Sequence, residues 1–534
     1  MQFYIKNKFF FIFLWFSLSG FGQQAQDTAS YIHIIYADHA SVSARYPGKQ
    51  LLSGNVQIAH NGALLFCDKA VVDKRENLAI AVGHVRLQQG DTLQMKAGYL
   101  KYDGNRSFAE AAENVQLSDP KMNLATDTLY FDRLKQESYY TSGGKIVDSV
   151  NVLTSKTGRY FLTDKRFRFT HNVHLTNPDY QLDSYQLDYF PDTGISNFYG
   201  PTKIYNLESY IYAEKGHYDA QQKIAWFVKN AFIKHRHTTI KADSLYYDQN
   251  KHYATGNKKV VVHDSLNKTW IFSDFAQRWF KADSTRVSQK PVMVTTNQKD
   301  TLFLKASQFM TAGPKNKRRL WAYPSVQFYS REFSGRADSL YRDAATHFMK
   351  LMKNPVVWHG RSQITGNEIK LKNDTLNQHL DSLIIPENVF IIQKDSAGFN
   401  QIKGKKLLGK FVKDRLKTID IYGNAEMIYF LREDDGKLVG IEKNKSGHIY
   451  IAFDKGKIAS LRHYQKPEGG VYPYKDFIKQ PQFFKGFKWL GDKQIKNKAD
   501  ILGKHEPLYE AETKQKPTSL IEPAIKRKAI QLNE

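Results

Sequence analysis

Short runs in which every second residue is apolar recur along most of this chain. After Gly54 and Asn55 come Val56 and Ile58; after Gly83 and His84, Val85 and Leu87; after Glu113 and Asn114, Val115 and Leu117; after His171 and Asn172, Val173 and Leu175. A period of two over a short run marks a strand with one buried face. Between these runs lies a second segment that closes on an aspartate, as in AGYLKYD at Asp103, TDTLYFD at Asp132 and ADSLYYD at Asp248. Counted back from the closing residue, positions minus eight and minus six share one parity, and minus three and minus one share the other. A straight strand would point these pairs to opposite faces. A one-residue slip within the segment, a bulge or bend, returns both pairs to one interior. Apolar residues at helical spacing are hard to find before residue 400, so an all-β fold is expected.

Both markers keep time. The closing positions are Asp73, Asp103, Asp132, Phe161, Asp188, Asp219 and Asp248, spaced by 30, 29, 29, 27, 31 and 29 residues. Looser echoes such as PVV at Pro355, ENV at Glu387 and GNA at Gly423 extend the pattern to about thirteen units between residues 40 and 432. Each unit reads as a bent strand pair stacked on its neighbours, the logic of a one-dimensional repeat protein. Asp243 and Asp248 could be taken for a catalytic carboxylate pair. Yet the closing aspartate returns unit after unit and Phe161 replaces it once, whereas an active site is single. A turn role is expected, and no enzyme activity.

Composition narrows the partners. Lys and Arg exceed Asp and Glu by enough to give a net charge of +25, which suits an anionic ligand. The N-terminus has Lys6 and Lys8, an apolar run from Phe9 to about Leu18, then Ser19, Gly20 and Gly22, the pattern of a secretory signal peptide. Export turns the expectation away from nucleic acid and towards an envelope ligand bearing phosphates or carboxylates. Cys67 is the sole cysteine, so no intrachain disulfide forms; its core-facing position predicts an inert buried thiol. His171 and His174 are expected on opposite faces of a strand, and His235 and His237 share a face but have no carboxylate or thiolate beside them in the sequence, so no metal and no cofactor are expected.

The stretch from Gln50 to Asp248 resembles the OstA-type repeats of lipopolysaccharide-transport proteins, the family of LptA and of the periplasmic part of LptD. The GNV start and the Ala-Asp-Leu-Tyr-Asp close carry the resemblance, which stays in phase more weakly to about residue 430. It implies an elongated OstA/LptA-type β-jellyroll, a β-taco of about thirteen stacked ~30-residue repeats with a small C-terminal cap. It also implies a periplasmic protein, associated with the outer membrane, whose apolar groove shields the acyl chains of lipid A. Candidate groove residues are Val56, Ile58, Leu65, Val85, Leu87, Met95, Ala97, Leu100, Tyr102, Val115, Leu117, Leu124, Leu129, Phe131, Leu182, Ile211, Ile240, Leu245 and Tyr247. Open sheet edges would pair with other transport components or with a second copy.

Two plainer readings stand beside this one. The same positions could form a dry core with no ligand, as in a structural or adhesive exported β-solenoid. Lys-rich stretches such as KNKRR at Lys315 and KKLLGK at Lys405 are either solvated faces or phosphate contacts. The expected division is a signal peptide at 1–22, a short leader at 23–39, best-matching repeats at 40–250 and more divergent repeats at 251–432. A β-rich aromatic cap follows at 433–503, then a mobile charged tail at 504–534.

Overall fold

The computed structural model describes residues 32–514, apart from residues 43, 46, 61, 90–92, 119, 121, 208, 297–299, 315–316, 374–378, 434 and 455–456. The expected signal peptide, the leader up to residue 31 and residues 515–534 of the expected tail lie outside the described residues. The fold is all-β and antiparallel, with a small C-terminal helical part. It divides into two compact units, residues 1–254 and 255–534.

In the first unit, long strands such as Lys49–His60, Ala63–Asp73, Leu78–Gln89 and Leu93–Asp103 each pair with the next. Every such ladder breaks once and resumes one residue out of step. Ser53 faces Lys69 and Val56 faces Cys67, so Gly54 and Asn55 together stand opposite Asp68 alone. Both sit at positive φ, 74° and 47°, and so do Gly83 with His84, Glu113 with Asn114, His171 with Asn172 and Lys229 with Asn230. Glycine enters this region without steric cost and asparagine with less than most residues, which is why the GN pair recurs. The pair is therefore a corner in mid-strand rather than a strand start. The slip is real, but the extra residue belongs to the partner of the aspartate-closed strand and not to that strand itself.

At the corner each strand folds over, and its two halves enter two facing walls. Positions minus eight and minus six come from one wall, minus three and minus one from the other. Leu65 and Cys67 consequently pack in one cluster with Ala70 and Val72. The two carboxylates of the repeated phrase divide the work. Outward at the corner, Asp68 pairs with His84 at 2.7 Å, and Glu214, at the same place, accepts from Asn230 at 2.7 Å. At the close, Asp73 accepts from the backbone N–H of Arg75 and Glu76, Asp219 from those of Gln221 and Gln222, and Asp248 from that of Lys251. These are turn caps.

One closing position is corrected. In the fifth unit the corner residue is Tyr185, since Ser184 faces Val173 and Gln186 faces Thr170. The inward residues are then Leu182, Ser184 and Leu187, and the closing position is Phe190, not Asp188. With that change the intervals after Asp103 are all 29 residues. Asp188 does something else: it is held by Arg166 at 3.0 Å and by Arg168 at 2.7 Å.

In the second unit the corners interrupt the strands outright, and the chain alternates between two ladders. One contains Ser284–Ser288, Gln308–Ala312, Arg319–Tyr323 and Ser339–Asp343; the other contains Val292–Thr296, Thr301–Lys305, Val326–Tyr329 and Phe333–Ala337. The strands Thr269–Trp279 and Arg415–Arg432 run through both. Residues 473–514, after the last strand, lie along the second ladder as a strap. Phe477 joins Ile428, Phe430 and Ile441, while Ile495, Ile501 and Leu502 join Phe272, Val292, Val294 and Phe303. By register these face away from Met293 and Leu304, so this wall is buried on both sides. Within the expected tail, Glu506–Lys514 is a helix that packs through Leu508 and Tyr509.

Candidate functional site

The repeated corner places a row of small or branched residues at the apex of the first unit. Val56, Val85, Val115 and Val173 come from the corner strands; Cys67, Ala97, Thr126, Ser155 and Ser184 come from the closing strands; all are buried. Small side chains belong there because the walls converge at the corner. Farther from it the inward residues grow larger, as at Ile58, Leu65, Met95 and Leu124.

Of the candidate groove residues, Val56, Ile58, Leu65, Val85, Met95, Ala97, Leu100 and Val115 are buried in one cluster. Leu87, Tyr102, Leu117 and Leu129 pack against it. Leu182 belongs to a second cluster with Leu153, Phe169, Val173, Leu187 and Phe198. Leu124, Ile240 and Leu245 are buried farther along the rows, and Phe131, Ile211 and Tyr247 are half-buried there. The two walls fill the space between them: the most exposed member of the first cluster is Ala97, at 9%. Facing apolar surfaces close on one another for the reason any core does. In this conformation the interior is thus filled by its own lining.

Several inward residues escaped the sequence reading. Ala79, Ala81 and Ala111 lie in the first cluster on corner strands, upstream of the alternating runs. Tyr140 is 3% exposed, and its hydroxyl meets the Ser155 Oγ at 2.7 Å. A Cβ at Gly144 or Gly158 would collide with its ring, so those two glycines make the space it occupies. The missed signal was glycine at minus three from Phe161, where neighbouring units have leucine.

Polar groups at the apex satisfy one another. Thr126 donates to the Gly143 carbonyl at 2.7 Å, and Ser184 and Thr202 share a hydrogen bond of 2.8 Å. These apex hydroxyls are therefore paired. Cys67 is 6% exposed, and burial pushes its thiol up to about 11, the condition of an unreactive sulfur. His171 meets Tyr185 at 3.2 Å and His174 meets Asp183 at 2.6 Å, so the two rings have separate partners. Among the described residues no group of three or more His, Cys, Asp and Glu is arranged to hold a metal ion. No described helix is long and apolar enough to cross a membrane.

Comparison with known proteins adds a family. A model of OstA-like proteins matches residues 30–185, and a model of the LptA/LptD N-terminal domain of lipopolysaccharide-transport proteins matches residues 210–376. Among solved structures, LptH of Pseudomonas aeruginosa, the LptA-homologous periplasmic component of its lipopolysaccharide transport device, is 13% identical. That match covers 20% of this chain and 81% of LptH, with a TM-score of 0.19. No curated protein matches the chain.

Proposed function

This chain belongs to the OstA-like, LptA-type family of lipopolysaccharide-transport proteins, and from that premise we propose that it carries lipopolysaccharide by taking acyl chains between its two walls. The observation that supports this most is the in-register repetition of the corner. It lays apolar residues from repeat after repeat along the interior of the first unit, inside the span the family models match. The role is passive and non-enzymatic, in the periplasm, and directed towards the outer membrane.

Energetics suit a conduit. Burying a methylene is worth ~0.8 kcal/mol, so an acyl chain prefers the interior to water. The lining is already buried against itself, however, and an entering chain replaces wall-to-wall contacts. Net binding is then much weaker than the full transfer free energy, and near-uniform along the rows. A lipid held that way does not stall.

Partners would join at the edges. His33–Tyr36 and His39–Val42 pair on one side with Lys49–His60, and among the described residues their other edges are unpaired. Such edges accept a strand from another transport component or from a second copy.

The filled interior also fits the plainer reading, a structural or adhesive solenoid without lipid. A spin label at Leu124→Cys, in a Cys67→Ala background, separates the two. Lipopolysaccharide should alter label mobility there while its delipidated oligosaccharide does not, and neither should affect Lys96→Cys on the outer face. Unchanged spectra at position 124, or equal responses to both ligands, would favour the solenoid.

A further inference from the structure

Once the fifth unit is set on Phe190, the position just before the closing residue becomes aromatic in six successive units: Tyr102, Phe131, Tyr160, Tyr189, Tyr218 and Tyr247. Register places them in one row. Tyr102 faces Ala109, Phe131 faces Ser138, Tyr218 faces Ser196 and Tyr247 faces Ala225, so small residues separate the rings. Successive aromatics are therefore about 10 Å apart, two strand spacings. The exception is Phe167, which stacks on Tyr160 at 4.4 Å between ring centres.

The row shares its parity with the inward positions but lies farthest from the corner, next to the turns. That is where the apolar interior meets water. Tyr102 packs on the first interior cluster and Tyr218 on the second. Among the described residues neither hydroxyl has a hydrogen-bond partner, and neither is sealed from solvent. Burial pushes the phenols of Tyr102, Tyr218 and Tyr247 upward, and that of Tyr160 to about 12, so they remain neutral O–H donors at any physiological pH. An apolar ring with a polar tip is the side chain that settles at such a boundary.

Resting on the lipid-carrying reading, we propose that these tyrosines form a rim that donates hydrogen bonds to the carbonyl oxygens at the head end of acyl chains, fixing how deep each chain enters. The ring covers the first methylenes and the hydroxyl meets the first polar atom of the lipid. Repeating every 29 residues, the rim offers this grip at each step except Phe131, which supplies the ring alone. Specificity would then lie at the mouth, for acylated lipids, while the interior stays indifferent to chain identity.

The test uses the full chain and two probes, a short-chain diacyl phospholipid and its dialkyl-ether counterpart, which lacks the carbonyls. Two hydrogen bonds near 1 kcal/mol each predict that wild type prefers the ester by roughly tenfold or more. Replacing all five rim tyrosines, Tyr102, Tyr160, Tyr189, Tyr218 and Tyr247, with phenylalanine keeps the rings and should abolish that preference while leaving ether affinity unchanged. An ester preference absent from wild type, or retained in the fivefold variant, overturns the rim. Failure of both probes to bind wild type overturns the lipid-carrying reading itself, and the rim with it.

Discussion

Gly83 shows why a two-residue corner can organise a whole unit. Its φ is 79°, and a Cβ there would run into the carboxylate of Asp68. Gly83→Val should destabilise the first unit by about 1–3 kcal/mol, read as a lower urea midpoint, whereas His84→Asn, which suits the left-handed region, should be nearly neutral. An equal effect of the two would mean that the corner is set elsewhere. Asp188 offers a pH test. Burial pulls its carboxyl upward, but hydrogen bonds and charge from Arg168 and Arg166 outweigh that and hold it below the usual range. A depressed pKa stabilises the fold above the unfolded value near 4, and the contribution disappears as pH falls through the folded value. Asp188→Ala, which leaves Arg166, 17% exposed, with only the exposed Asp164 at 3.5 Å, should cost roughly 2 kcal/mol at neutral pH. The gap from wild type should narrow below about pH 4, when wild type loses the ion pair too. A gap that stays constant into acid would assign the loss to packing instead of charge.

Elements that repeat were legible, and those that do not were hidden. The period, the corner dipeptides and most inward positions follow from local rules: alternation, left-handed φ and small residues at an apex. The strand that carries the slip was not legible, because parity shows only that two faces must be reconciled. The fifth unit was misphased because Phe190 stands where its neighbours have aspartate, with Asp188 close enough to imitate it. The strap was out of reach, since its hydrogen bonds to the strands link residues 37 to 230 positions apart and leave no local period. Two buried glutamines hold it. Gln363 donates to the Lys488 carbonyl and accepts from the Leu490 N–H, and Gln401 does the same with Gln482 and Phe484. Gln363→Leu with Gln401→Leu should speed amide exchange at Leu490 and Phe484 by about tenfold or more, leaving the inward row at Phe309 and Leu351 protected. Unchanged exchange at the strap would show that its aromatic anchors suffice. Truncation after residue 472 is the harsher version: uncovering Phe272, Val292, Phe303 and Phe430 should make the second unit aggregate.

At the scale of the molecule, the proposed conduit depends on whether the walls part for hydrocarbon. As the molecule stands, the inward side chains are buried against one another, and a lipid must displace them to enter. Weak exchange of that kind suits transport better than a deep pocket would, because each step along the rows resembles the last. It also makes the occupied state transient, best caught where lipid is continually supplied. A photoreactive residue placed in living cells at Met95, Leu124 or Leu245, which face inward, and at Lys96 or Lys241, which by register face outward, provides that capture. Lipopolysaccharide adducts at the three inward positions and none at the two outward ones are the expected result. Adducts confined to the outward lysines, or none at any position while the protein is folded and exported, would contradict the conduit.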